Sequence, residues 1–268
     1  MYSLKEIHDI SYDFLKELQA IVRENNIDVY LDSGTLLGAV REKDFIPWDD
    51  DVDLVIKRSD YNKLVKIIDG KLSSKYEFIP TSAYNGLFFD FTARFIYKDG
   101  TLRDVTPEDA AYDNMQNRIA FDLFILDNCP DNEFLHKIQV IKTKMYYGMA
   151  MAHRYNVDMS KYSGLDKIKV SVLTKLGKLY KLDTIIKKFN RNALRYDNVE
   201  SGRYWAPTYI LKEVHYTYRK EWYDGFSEFP IRDTMFKCPK DAVSVLTTMY
   251  GPDYMTPPPE AERISLHI

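Results

Sequence analysis

The chain has 268 residues, 45% of them hydrophobic and 29% charged, a balance that supports a sizeable buried core and excludes a disordered polymer. Its net charge of -3 supplies no global basic field, so nucleic acid is not an expected partner. Cys129 and Cys238 are the only cysteines and have neither zinc-motif nor disulfide-framework spacing, which leaves two reduced, buried thiols as the expectation.

The first residues are charged and lack the apolar core of a signal peptide, and no apolar run reaches membrane-spanning length. A cytoplasmic protein is expected, with contact at the inner face of the membrane as its one membrane option. Ser3 and Glu6 form a capping box, and Ile7, Ile10, Phe14, Leu18, Ile21 and Val22 then recur at helical spacing up to Asn25-Asn26. Val29-Tyr30-Leu31 reads as a short strand, Asp32-Ser33-Gly34 as a turn, and Thr35 to Arg41 as the start of a helix. After Pro47-Trp48, the segment Asp51 to Ile56 reads as an alternating strand with its carboxylates at the beginning. Ser59 is placed to cap a helix that carries Tyr61, Leu64, Val65 and Ile68 and ends at Gly70.

Leu87 to Ile96 has the period of a strand, with Phe89, Phe91, Ala93 and Phe95 on one face and Asp90, Thr92 and Arg94 on the other. Arg118 to Leu126 is a second such strand, in which Asp122 is the anomaly. Residues 132–154 and 165–195 follow helical patterns, and the tail from Tyr250 to Ile268, with Pro257-Pro258-Pro259, reads as an extended segment wrapping the surface. The expected architecture is α+β in one domain, with a catalytic α/β core in 1–130 and a mainly helical elaboration and extended tail in 131–268.

On a strand, Asp51 and Asp53 would point to the same face with Cα atoms about 6.6 Å apart, able to converge on one hard cation. Oxygen ligands favour Mg²⁺ or Mn²⁺, whose shell is commonly completed by phosphate and water. The alternative is a solvated acidic turn over Asp49 to Asp53. Against it stands the apolar continuation Leu54-Val55-Ile56, which carries the carboxylates toward a buried strand where like charges need a compensating cation. Asp122, also in an apolar strand, is either a third metal ligand or half of a structural ion pair.

Ser33, Gly34 and Thr35 precede a helix and can present backbone N–H groups and a hydroxyl to a phosphate, or simply cap the helix. Arg41 is a phosphate ligand or a surface ion pair. Arg94 reaches either phosphate or Asp90. The lysines at 167, 169, 175, 178, 181, 187 and 188, interleaved with apolar residues, form a solvated helix face or lie against an anionic membrane.

Taken together these segments resemble the LicD family, which includes the fukutin-type proteins, within the nucleotidyltransferase superfamily. Asp32 to Arg41 with Ile46 to Asp53 is similar to the family's Gly-Thr-Leu-Leu-Gly and Trp-Asp-Asp-Asp signature. Phe121-Asp122-Leu123-Phe124 resembles its later Asp-Ile-Phe segment, with Leu123 in place of Ile, and Tyr250 to Met255 with Pro257, Pro258, Arg263 and His267 resembles its C-terminal block. The resemblance implies a nucleotidyltransferase-like mixed sheet flanked by helices. It also implies metal-dependent transfer of a substituted phosphate, phosphocholine from CDP-choline above all, to a hydroxyl of a glycan or glycolipid acceptor, with CMP leaving. Asp51, Asp53 and Asp122 would then be the catalytic metal-binding carboxylates, Ser33, Gly34, Thr35, Arg41 and Arg94 would meet the donor phosphates, and Arg263 and His267 would contact substrate. CDP-glycerol and CDP-ribitol are alternative donors. A metal-dependent glycosyltransferase, which also uses an Asp-x-Asp pair, and a non-catalytic glycan-binding protein are the other readings.

Overall fold

The computed structural model describes residues 2–80 and 83–265. The helix α1 (Leu4–Glu24) opens on the expected capping box, in which the Ser3 backbone N–H donates to Glu6 Oε2 at 2.8 Å and the Glu6 N–H donates back to Ser3 Oγ at 3.3 Å. Its buried face includes Ile7, Phe14, Leu15, Leu18 and Val22. Strand β1 (Val29–Leu31), helix α2 (Ser33–Arg41), strand β2 (Val52–Lys57) and helix α3 (Arg58–Ile67) follow. Boundaries differ from expectation: α2 opens at Ser33, so that Ser33 and Gly34 lie in its first turn rather than in a turn before it, and α3 ends at Ile67, short of Gly70. Asp51 precedes β2 rather than beginning it, and the N-cap position of α3 falls on Lys57, without a side-chain cap, while Ser59 lies inside the first turn.

Strands β3 (Tyr76–Ile79), β4 (Ala83–Tyr84), β5 (Leu87–Phe88) and β6 (Ala93–Tyr97) come next. The strand expected over Leu87–Ile96 is therefore interrupted. Asp90 Oδ1 accepts the Thr92 N–H at 2.6 Å, a local turn that competes with the ladder. Its aromatic residues accordingly part company: Phe91 stacks on Phe189 with centroids 3.6 Å apart, Phe89 packs near Tyr112, and Phe95 enters the main core.

A short helix α4 (Pro107–Ala111) leads to β7 (Ala120–Cys129), which outlasts its expected end and pairs at Asp127–Cys129 with β8 (Arg203–Trp205). Between them lie α5 (Glu133–Ala150), α6 (Gly164–Gly177) and α7 (Leu182–Ala193); the helical pattern of 165–195 is broken at 178–181. Strand β9 (Thr217–Arg219), the hairpin β10 (Phe226–Ile231) and β11 (Thr234–Pro239), and helix α8 (Ala242–Tyr250) complete the regular structure. The C-terminal half is mainly helical as expected, and β8 to β11 add strands that its residue pattern does not announce. The tail beyond Gly251 folds back along the surface, and the Ser265 hydroxyl donates to the Trp48 carbonyl at 3.0 Å.

The central sheet runs β1-β2-β7-β6-β3, with β8 and β9 continuing from the far end of β7. Only the β2–β7 pair is parallel among these. One face, bearing Leu54, Phe121, Leu123 and Phe95, is covered by α1, whose Phe14 ring stacks on Phe121 with centroids 3.9 Å apart. Truncating an aromatic so placed costs about 3–5 kcal/mol. Arg58 fastens α3 to β7 through Nε and Nη2, which donate to the two oxygens of buried Asp127 at 2.7 and 2.8 Å. The same main core takes in Tyr209, Tyr218 and Leu246 from the second half, whereas Met149, Ile185 and Phe189 form a smaller cluster with Phe88 and Phe91.

Candidate active site

The start of β2 is held against α2 by two backbone groups. The Asp53 N–H donates to Thr35 Oγ1 at 2.9 Å, and the Asp32 N–H donates to the Asp53 carbonyl at 3.0 Å. Gly34 and Gly38 let the loop from 42 to 51 lie flat on the helix. A Cβ at Gly34 would stand 2.5 Å from Asp49 Oδ2, and one at Gly38 would stand 2.7 Å from the Asp44 carbonyl oxygen. His8 of α1 steadies the same loop, its Nε2 lying 2.7 Å from the Asp49 carbonyl oxygen while its ring stacks on Phe45.

Sheet register then assembles the charged row. Asp53 pairs with Asp122 across β2 and β7, and Asp122 with Arg94 across β7 and β6, so the three side chains share one face. Arg94 is buried, lies 3.2 Å from Asp122 Oδ1 and 3.4 Å from Asp90 Oδ2, and covers the Phe89 ring at 4.2 Å. The ion-pair alternatives raised for Arg94 and Asp122 are thus present, with the guanidinium beside both Asp90 and Asp122.

Two clefts open on this row and share Asp51. The first is lined by Gly34, Arg41, Asp49, Asp51 and Asp53 together with Trp48, Tyr250, Tyr254 and Pro258. The second is lined by Asp50, Asp51, Arg94, Asp122, Arg118 and Arg154 among others. Of the residues expected at a donor phosphate, Gly34 and Arg41 therefore face one cleft and Arg94 the other. Ser33 and Thr35 are buried and line neither; the Thr35 hydroxyl is taken up in holding Asp53.

Arg41 spans the wall of the first cleft. Its Nε donates to Glu42 at 2.7 Å and its Nη1 to the Tyr254 carbonyl at 3.2 Å, and its guanidinium lies 6.0 Å from the Trp48 ring centroid. Arg263 approaches the same indole at 5.0 Å and donates from Nε to the Pro258 carbonyl at 2.9 Å, so it braces the tail rather than lining the cleft. His267 lies outside the described residues.

Burial dominates the electrostatics, and the crowding of carboxylates adds to it at Asp53 and Asp49. Burial, followed by the charges of Asp51, Asp122, Asp32 and Asp49, pushes the Asp53 carboxyl well above its usual range. Burial and then Asp51 and Asp50 push Asp49 up to about 8. Asp32 is pushed up to about 6 by burial, although the Tyr209 hydroxyl donates to its Oδ2 at 2.5 Å. Its Oδ1 is buried with no hydrogen-bond partner. Asp32, Trp48, Tyr250 and Tyr209 are thus parts of the site that the isolated motifs do not assign. Trp48 and Tyr250 lie within quoted motifs, but the Asp32–Tyr209 contact bridges 177 positions and leaves no local signal.

An excess of carboxylate oxygen, an orphaned buried acceptor and pKa values raised by burial and then by mutual repulsion are what a hard divalent cation would relieve. Among the described residues, however, no three acidic, His or Cys side chains form a group able to hold an ion alone.

A family model described as the LicD/FKTN/FKRP nucleotidyltransferase domain matches residues 26–123, the span that contains α2, the acidic loop, β2, Arg94 and Asp122. The lipopolysaccharide cholinephosphotransferase LicD of Haemophilus influenzae is 24% identical over 275 residues, covering 99% of this chain and 96% of that protein. The chain is thus similar to the LicD family over residues 26–123 and to one LicD protein along nearly its whole length. An uncharacterized protein of Rickettsia prowazekii is 35% identical over 112 residues, 38% of this chain and 42% of the relative, and one of Rickettsia typhi is 42% identical over 60 residues, 22% and 19% of the two chains. The mixed sheet flanked by helices is the fold expected of a LicD-family nucleotidyltransferase domain.

Proposed function

We propose that this chain transfers a substituted phosphate, phosphocholine from CDP-choline in the first instance, to a hydroxyl of a cell-surface glycan precursor and releases CMP. The observation that carries the reading is the meeting of two clefts at Asp51, beside the row formed by Asp53, Asp122 and Arg94. A transferase needs two substrates to approach one reacting centre from different sides, and this arrangement offers each its own opening. Similarity along nearly the whole chain to a lipopolysaccharide cholinephosphotransferase supports the same reaction class.

The first cleft suits the donor. Asp51 and Asp53 are the pair that would hold Mg²⁺ or Mn²⁺, and such an ion, when bound, neutralises the donor phosphates. Arg41 can add a charge-assisted contact there. Trp48, Tyr250 and Tyr254, with Asp253 and Glu262, give that cleft an aromatic and acidic lining, which favours a cationic head group over the neutral polyols of CDP-glycerol or CDP-ribitol.

The second cleft suits the acceptor. Its hydroxyl oxygen would form a bond to the distal phosphorus of the donor, the bond from that phosphorus to the bridging oxygen would break, and CMP would leave with the bridging oxygen. Asp122, ion-paired with Arg94, would take the hydroxyl proton. The test is CMP release by the purified chain offered CDP-choline, CDP-glycerol, CDP-ribitol and nucleotide sugars with Mg²⁺ and a glycan acceptor. CDP-choline is expected to be turned over fastest. Release of a nucleoside diphosphate from a nucleotide sugar, without CMP from any donor, would replace this reading with a glycosyltransferase.

A further inference from the structure

The helix α6 carries apolar residues on its solvent side as well as on the side that meets α5. Its inward face is made by Val170, Leu173, Thr174 and Gly177, and the contact with α5 is close. A Cβ on Gly177 would stand 2.0 Å from the Met149 carbonyl oxygen, and one on Gly148 would stand 2.5 Å from Leu173 Cδ1. Most of its apolar residues point outward instead. Leu165, Ile168, Val172, Leu176 and, just past the helix end, Leu179 recur at helical spacing and are all exposed, Leu165 by 73% and Leu179 by 77%.

Charge flanks this stripe on both sides. At 100° per residue, Lys169 falls beside one edge and Lys175 beside the other, with Lys167 and Lys178 further round the helix. From residue 161 to 188 the sequence holds eight lysines and two aspartates, in a chain whose net charge is -3. Of the two aspartates, Asp166 is already paired with Lys169 at 3.0 Å.

We propose that α6 is an interfacial helix that docks this chain onto an anionic lipid bilayer, with the stripe from Leu165 to Leu179 in the headgroup–acyl boundary and the lysines on the lipid charge. An exposed apolar stripe edged by lysine is the pattern of helices that lie in a membrane interface. No helix among the described residues is long and apolar enough to cross a membrane, so this contact is made from one side. A second copy of the chain fits less well, because it would bring like-charged lysine rows together. The inference stands apart from the transfer reaction, and either can fail alone.

Co-sedimentation of the full chain with vesicles separates the outcomes. Binding is expected to phosphatidylcholine vesicles containing phosphatidylglycerol and not to phosphatidylcholine alone, and it should weaken as salt is raised. Each lysine at an anionic surface contributes roughly fivefold in partitioning, so Lys175→Gln with Lys178→Gln should weaken it by more than tenfold (roughly). The triple variant Leu165→Gln, Ile168→Gln, Leu179→Gln changes only exposed side chains; it should abolish vesicle binding while leaving circular dichroism and CMP release with a soluble acceptor unchanged. Wild-type binding by that variant, equal binding to both vesicle types, or no binding by the wild type would overturn the proposal. So would a dimer that the triple variant disperses, in a protein that ignores vesicles.

Discussion

Asp53 stands among the carboxylates of Asp51, Asp122, Asp32 and Asp49, and each of them raises the cost of its charge. The strand that carries it was marked in the sequence by acids running into apolar residues. What the sequence did not show is that Thr35 acts on the backbone of Asp53 and that Gly34 makes room for Asp49, because both contacts depend on how α2 lies against the loop. Burial of these carboxylates, with the crowding at Asp49, has a consequence for stability in the metal-free protein. Asp32 and Asp49, raised from 3.8 to about 6 and about 8, keep protons in the folded state that the unfolded chain has released. The folded chain therefore binds more protons between about pH 4 and about pH 8, and stability falls as pH rises through that window. In chelator the melting temperature should drop from about pH 5 to about pH 8, and Mg²⁺ should restore it most at the upper end. A shift of about 2–4 °C corresponds to roughly 1 kcal/mol in a chain of this size. A melting temperature indifferent to Mg²⁺ at both pH values would count against ion binding.

At the scale of elements, α1, β1, β2, β7 and α5 were legible because each pairs a strong hydrophobic period with a cap or turn residue. The strands β3, β8 and β9 are only three or four residues long, and β10 carries Pro230 and an exposed Phe226, so a period of two has no room to declare itself. The single strand read over 87–96 failed at Asp90, whose side chain bonds the backbone two residues on. The break between α6 and α7 was hidden because the lysine-rich linker continues the helical period. The Arg58–Asp127 pair that ties α3 to β7 had no sequence signal, since its partners are 69 positions apart. Asp127 is 1% exposed, so Arg58→Ala strands a buried carboxylate. Urea denaturation should show a loss of about 3–5 kcal/mol, and a loss under about 1 kcal/mol would mean the pair behaves as a surface contact.

At the scale of the molecule, the sequence motifs mark the carboxylates and the structure divides the surroundings between two clefts. Arg41 and Gly34 fall on one side of Asp51 and Arg94 on the other, a partition set by the parallel β2–β7 register and the antiparallel β7–β6 register. The tail completes the first cleft by returning from α8 to Trp48, which joins the C-terminal half to the acidic loop. Asp51 and Asp53, at this junction, are the pair proposed to carry a metal-dependent transfer from a CDP-linked donor. The most direct test is CMP release from CDP-choline by the wild type, Asp51→Asn and Asp53→Asn with Mg²⁺, each first shown to be folded by circular dichroism. The account predicts Mg²⁺-dependent release by the wild type and a fall of at least roughly a thousandfold in both variants; near-normal, Mg²⁺-dependent release by either variant would contradict it.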